Sequence, residues 1–432
     1  MFFTENLMFK KTNFFFKEKE KKQVFSNFIS LSFMQAANYL IPLVAIPYLV
    51  RVLGDDRFGL VMFAQAFIQY FVILVDFGFE LTATREISIH RNDRKKVTEI
   101  FSSVMYVKFV LLLVSFLIMN IVVFSFGQFS KEWQLYYLSF GLVIGQLLFP
   151  VWYFQGIEKM KYIMFFNVLA KTIFTVLIFF TIFTPADYRL YAIINSSGFI
   201  FAGLVAFFVA LYLNNFGFTK PQKNPIKEII LKTRDVFISN VGISLYMTST
   251  SFILGIVTGR NDLVGFYTVA EKTIRGIRYV VSPITQALYP YLSKRFAGQK
   301  TKDSVSVLKK LMLYLTPMLL LLVAGLLIFT EKIVLLLTGS VNPSIILDMR
   351  VISVILFIGT YNNVLGVLGM LNMGMEKQFR NEVLRSGLFN VVFCLAASHF
   401  LLDLGASLSV VATELLLMLL LIKNLNKKLR NA

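Results

Sequence analysis

The chain has 432 residues, 57% hydrophobic, 15% aromatic and 16% charged, with 43 Lys+Arg against 24 Asp+Glu and a formal net charge of +19. So small a charged fraction, against about 25% in soluble domains, excludes an ordinary soluble enzyme or nucleic-acid binder. It leaves a polytopic membrane protein whose basic residues sit in loops. One cysteine, Cys394, and two distant histidines, His90 and His399, exclude a disulfide framework and a local metal motif. No Walker A, HExxH or GxSxG pattern supports an ATPase or hydrolase.

In chain order, residues 1–25 come first, Lys-rich and carrying Phe14, Phe15 and Phe16. With no small-residue cleavage site after the first apolar run, they read as a cytoplasmic basic tail on anionic lipid or as a disordered overhang. A bilayer core takes about 20 apolar residues per helix, and twelve runs meet that need: 26–50, 59–80, 98–126, 133–154, 162–184, 189–213, 236–258, 264–291, 308–330, 347–372, 383–402 and 404–423. The weakest divide is Asp403 to Gly405, where one long broken helix is the alternative. The expected fold is an all-α polytopic membrane protein of twelve transmembrane helices in two pseudo-symmetric six-helix lobes. The lobes are 26–213 and 236–423, joined by a cytoplasmic linker at 214–235 that holds Pro221 and Pro225, with a cytoplasmic tail at 424–432.

The loop charges set an orientation. Alternate loops and both tails hold 30 of the 43 basic residues and the opposite loops hold 6, which predicts an even span count with both termini cytoplasmic. The other seven, Lys108, Lys171, Lys272, Arg275, Arg278, Arg350 and Arg385, lie inside spans.

The second half echoes the first. Asp56, Gly59 and Ala64 recur as Asp262, Gly265 and Ala270, a D-x-x-G-x-x-x-x-A pattern at an offset of 206, each entering an even-numbered span. Six spans per half, both starting inside, imply parallel repeats about an axis along the membrane normal.

Charges at bilayer depth normally face protein or water. At 100° per residue, Glu271, Arg275 and Arg278 fall on one stripe of span 8, with Lys272 on its flank. Gln65, Gln69, Asp76 and Glu80 form a matching stripe on span 2. Both are expected to face a central cavity, cationic on the second lobe. The bland alternative is a self-satisfied Glu271–Arg275 pair, which leaves Lys272 and Arg278 unpaired. Lys108 and Lys171 either face the cavity or snorkel to an interface. Asp348 and Arg350 read as interfacial, as do Glu382 and Arg385; Glu414 has no evident partner. Pro42 and Pro47 in span 1, and Pro283 and Pro290 in span 8, bend their helices and offer hinges.

Specific strings then stand out. IPYLVRVLG ends at Gly54; FG follows at Phe58-Gly59, DFGF at 76–79, TREI at 84–87 and WYFQGIEKMKY at 152–162. They resemble the bacterial polysaccharide transporter family, the O-antigen flippases of the MATE-like MOP exporter superfamily. The second half carries fewer such strings.

The resemblance implies a non-enzymatic, cofactor-free flippase of the bacterial inner membrane. Its substrate would be an undecaprenyl-pyrophosphate-linked oligosaccharide and its surroundings membrane lipids; a polysaccharide polymerase and other assembly proteins are possible partners. Arginine suits pyrophosphate because its fork of donors matches phosphate oxygens, so Lys272, Arg275 and Arg278 are expected to hold the headgroup. Glu271, Asp76 or Glu80 would couple transport to protons or sodium. The alternatives are a multidrug/cation antiporter, which would favour carboxylates and aromatics, and a lipid II flippase. A membrane glycosyltransferase lacks room: the longest outside loop, 331–346, has only Glu331 and Lys332 charged.

Overall fold

The computed structural model describes residues 18–214, 217–219, 223–296 and 301–430, with most side chains in 18–42 and 279–295 and a few in 223–247 and 301–303 outside the description. Residues 1–17 of the basic tail, Pro221 and the side chains of Pro42, Pro283 and Pro290 therefore lie outside the described residues. Every described element is helical. In order they are α1 Glu18–Asp76, α2 Phe79–His90, α3 Arg94–Ser125, α4 Gly127–Ser130, α5 Trp133–Ser139, α6 Gly141–Leu148, α7 Val151–Gly156, α8 Met160–Thr181 and α9 Tyr188–Leu213. The second half holds α10 Lys223–Met247, α11 Ser249–Thr258, α12 Asn261–Phe296, α13 Thr301–Thr338, α14 Pro343–Ser353, α15 Ile355–Asn363 and α16 Glu376–Arg430. A π-helical turn, Val364–Met370, extends α15.

Eight helical stretches among the described residues are long and apolar enough to cross a membrane, which makes this a multi-pass membrane protein. Two predicted pairs merge into single long helices. At 1.5 Å per residue the 55 residues of α16 would span about 80 Å if straight, far beyond a hydrocarbon core of ~30 Å. Leu402, at φ 56° and ψ −131°, breaks it. Gly405 then abuts the backbone of Ala397 and Ser398, and Asn390 Nδ2 donates to Thr413 Oγ1 at 3.1 Å, so the two limbs run antiparallel. The broken-helix alternative and the two-span reading thus describe one hairpin, divided one residue ahead of Asp403. α1 breaks likewise at Gly54, φ 73°; Ile41 and Val72, on its two limbs, line one cavity.

The two D-x-x-G copies meet face to face. A Cβ on Gly59 would lie 1.7 Å from the Asn261 carbonyl oxygen and 2.8 Å from the Gly265 nitrogen, while one on Gly265 would lie 2.8 Å from the Asp55 carbonyl oxygen. Asn261 Nδ2 donates to Asp56 Oδ1 at 3.3 Å. Beside this crossing the Phe252 ring stacks on Phe63 and Phe67, with centroids 5.5 and 5.7 Å apart. The halves are therefore packed together at the end carrying loops 51–58 and 259–263.

At the opposite end the linker helix α10 docks on α2. The break between α1 and α2 needs Gly78, at φ 84°, where a Cβ would also meet Val236 Cγ1 at 2.9 Å. Lys232 Nζ bridges Glu86 at 3.1 Å and Glu228 at 2.8 Å. The hydrogen bond from Lys232 holds the Glu228 carboxyl below its ordinary range, and hydrogen bonds to Glu228 and Glu86 hold the Lys232 ammonium above its own. A depressed carboxylate loses its contribution as pH falls through its folded-state titration, and a raised ammonium loses its own as pH rises through it. Protection of the α10 amides 224–234 against hydrogen exchange is therefore expected to be greatest around neutral pH. It should fall at both extremes and in molar salt, since these groups are exposed and screened. Salt-independent protection would show that the ion pairs do not hold this helix.

Candidate functional site

A cavity of about 470 Å³ lies within the first half, between α1, α6, α8 and α9, with α12 contributing Lys272. Its wall is mostly apolar, broken by a set of polar side chains. Gln65 and Gln69 come from α1, Gln146 from α6, Asn167 and Lys171 from α8, and Asn195 from α9. No carboxylate is among its described lining residues. Gln65 Nε2 donates to the Tyr191 hydroxyl at 3.2 Å, Lys272 Nζ lies 3.1 Å from the Met62 sulfur, and Lys171 Nζ lies 5.9 Å from the Phe199 ring centroid. Thioether sulfur is a weak acceptor, so Lys272 keeps hydrogen-bonding capacity for an anion. Asn167 Oδ1 is buried without a hydrogen-bond partner. Amides offer donors and acceptors to hydroxyls, and ammonium groups attract anions. Chemically, the cavity suits an anionic, hydroxyl-rich guest.

The predicted stripes separate here. Gln65, Gln69 and Lys272 reach the cavity, joined by Lys171. Glu271, Arg275, Arg278, Asp76 and Glu80 are not among its lining residues. Arg275 Nε pairs with Glu271 at 2.8 Å, the self-satisfied i,i+4 pair. Arg278 is tied as well: it donates to Glu414 Oε1 at 3.0 Å and to the Gly359 carbonyl at 2.8 Å. Glu414, which showed no partner in sequence, also accepts from Asn362 at 2.6 Å. Gly359 leaves room for this contact: a Cβ would lie 2.5 Å from the Arg278 guanidinium carbon, so the arginine would have to shift.

On span 2, Asp76 faces Lys108 Nζ at 3.7 Å, and Lys108 also donates to the Gln146 carbonyl at 3.2 Å. Lys108 is 1% exposed, which rules out snorkelling. Glu80 accepts from Gln155 at 3.0 Å. Arg385 pairs with Glu382 at 3.1 Å, and the Glu382 side chain is buried in the protein. Asp348 is likewise buried, at 1% exposure, close to the loop 331–346 end where the sequence placed it. Helical spacing tells which residues share a stripe but not what stands opposite, which is why Glu271, Arg275, Arg278, Asp76 and Glu80 do not line this cavity with Gln65, Gln69 and Lys272.

The cavity residues missed in sequence, Gln146, Asn167, Asn195 and Tyr191, left a faint signal: isolated amides and a tyrosine within apolar runs. Two family-bearing strings interlock nearby. Thr84 of TREI donates to the Trp152 carbonyl at 3.2 Å and lies 3.1 Å from Gln155 Oε1, and a Cβ on Gly156 would meet Ile87 Cγ2 at 2.6 Å.

Apolar helices long enough to cross a membrane, folded around a cavity that carries ammonium and amide groups, define a multi-pass membrane protein with an internal binding space. Among solved structures, the chain resembles that titled "Lipid II flippase MurJ, inward closed conformation", with a TM-score of 0.71 at 10% identity, covering 93% of this chain and 87% of that one. It also resembles an inward-facing multidrug resistance MATE family transporter of the MOP superfamily, with a TM-score of 0.66 at 14% identity, covering 94% and 99%. These likenesses establish the fold. Residues 24–296 match the family model described as "Polysaccharide biosynthesis protein". The "Putative O-antigen transporter" of Escherichia coli (strain K12) is 30% identical over 404 residues, covering 92% of this chain and 96% of that protein. A protein of the same description from Shigella dysenteriae is 26% identical over 278 residues, covering 62% and 67%. The chain belongs to the polysaccharide biosynthesis protein family, that of the bacterial O-antigen transporters.

Proposed function

We propose that this protein flips an undecaprenyl-pyrophosphate-linked oligosaccharide from the inner to the outer leaflet of the bacterial cytoplasmic membrane by ion-driven alternating access. Twelve spans in two six-helix lobes, with both termini cytoplasmic, would carry the motion. A polysaccharide polymerase would receive the product. The observation that carries this reading is the cavity with Lys171, Lys272 and five carboxamides and no carboxylate among its described lining. A cationic drug would meet two ammonium groups there and be repelled, which disfavours the multidrug alternative. Lipid II has the same headgroup chemistry and is the second reading, supported by the likeness to a lipid II flippase fold.

In this conformation Lys272 and Lys171 are the groups presented to the headgroup. Arg275 and Arg278 would join only after leaving Glu271 and Glu414. Asp76, Glu80 and Glu271 are proposed to respond to the coupling ion through Lys108 and Arg275. Charge-assisted hydrogen bonds contribute about 1.5–3 kcal/mol each. Lys171→Met and Lys272→Met are therefore each expected to lower surface polysaccharide roughly tenfold to a hundredfold in a complemented deletion strain, at unchanged protein level. Accumulation of lipid-linked repeat units supports the reading; accumulation of lipid II instead favours the alternative; wild-type polymer in the double variant removes the headgroup role.

A further inference from the structure

Besides the ion-paired Glu382 and Glu414, the described residues of the second half include two buried carboxyl groups that the cavity does not use. Asp348 lies on α14 and is 1% exposed; Asp403, just after the Leu402 break in α16, is 7% exposed. Each has a serine one helical turn away. Ser344 precedes Asp348 by four residues and Ser407 follows Asp403 by four, so each serine shares a helix face with an aspartate. The contacts then run crosswise. Ser407 Oγ donates to Asp348 Oδ1 at 2.7 Å, and the Ser344 hydroxyl serves Asp403. Each carboxyl keeps one oxygen, Oδ2, buried with no hydrogen-bond partner.

The surrounding charges are engaged elsewhere. Arg260, within electrostatic range of Asp403, forks onto Asp262 at 3.2 and 2.5 Å. Arg350, on the same helix as Asp348, donates to Glu331 of α13 at 3.0 Å. Lys332 lies over the Phe329 ring at 5.7 Å, and His399 of α16 is exposed and packs against Phe400. Two ionised carboxylates buried together repel, and two orphan acceptors cannot satisfy each other. A single proton on one carboxyl removes that repulsion and turns its orphan oxygen into a donor.

We propose that Asp348 and Asp403 form a proton-binding carboxyl pair that couples transport to proton movement. Losing the proton leaves two buried negative charges where α14 meets the hairpin of α16 and drives those helices apart. Proton occupancy is thereby tied to the conformation of the second half. The site lies at the end carrying loops 259–263 and 331–346, away from the Asp76, Glu80 and Glu271 groups considered above.

Infrared spectra of the full-length protein in detergent, recorded across a pH titration, read protonated carboxyls through their C=O stretch. The wild type is expected to show a buried protonated-carboxyl band that bleaches at alkaline pH. Asp348→Asn and Asp403→Asn, near-isosteric with the protonated acid, should each remove it, and Ser407→Ala should keep it with a displaced midpoint. A band unchanged in both Asn variants overturns the proposal. So does bleaching at constant pH when sodium replaces potassium, which would make the pair a sodium site. In cells, both Asn variants should lose surface polymer, and wild-type polymer from either at every external pH would overturn the coupling role. The titration needs no cargo, so it stands or falls separately from the flipping reading.

Discussion

Gly59→Ala is expected to destabilise the protein by about 1–3 kcal/mol, the usual range for overpacking, and to abolish transport in whatever protein remains folded. The added methyl would fall 1.7 Å from the Asn261 carbonyl oxygen, a backbone atom that cannot rotate away. The entries of α1's second limb and of α12 would have to separate, taking with them the Asn261–Asp56 hydrogen bond and the Phe252 stack. Gly265→Ala meets the Asp55 carbonyl from the other side at 2.8 Å and should behave alike, if more mildly. Gly325→Ala is the control: a Cβ there meets nothing within 4 Å, and alanine favours the helix by roughly 0.8–1.0 kcal/mol. Thermal unfolding in detergent measures all three. Wild-type stability and transport in Gly59→Ala would show that the two repeats do not need this close approach.

Glu414→Ala is expected to cost about 3–5 kcal/mol, the range for stripping one partner from a buried ion pair. Glu414 is 2% exposed and accepts from both Arg278 and Asn362; removing it leaves the guanidinium against Gly359 with only the carbonyl as acceptor among the bonds described. Arg278→Met should be comparably harmful, because it strands the Glu414 carboxylate. The double variant Arg278→Met/Glu414→Leu should cost much less than the two single losses added, since an apolar pair of similar volume avoids desolvating two charges. Additive losses in this cycle would mean that the two residues do not act as a pair. The adjoining π-helical turn, Val364–Met370, departs from regular α-helix beside this pair, as π-bulges often do at functional sites.

The legible parts of the chain were those governed by local rules. Apolar run length marked the helices, and the string from Asp76 to Phe79 held the glycine that the α1–α2 break requires. The D-x-x-G repeat proved to mark a contact, because two helices can approach so closely only where both lack side chains. Span 8 was legible in part. Its periodicity correctly grouped Glu271 with Arg275, yet the inference that Arg275 and Arg278 face the same space as Lys272 does not match their placement in the structure. Residues on one stripe can meet different neighbours at successive turns, and Arg278 meets Glu414 from a helix more than a hundred positions away. Asp348 and Asp403 were unreadable for the same reason: only their crosswise serine contacts bring them together.

By itself the sequence determined that this is a multi-pass helical membrane protein of the polysaccharide transporter family, because hydropathy and short family strings are local properties of the chain. Only the tertiary structure decided which buried charges line the cavity and which meet partners on distant helices. An ion pair in a low-dielectric interior depends on a few ångströms of separation, and that separation is set by packing between helices far apart in the chain. Lys171 and Lys272 stay in the cavity, while Arg278, Lys108 and Asp348 are drawn into contacts that no spacing within a single helix encodes.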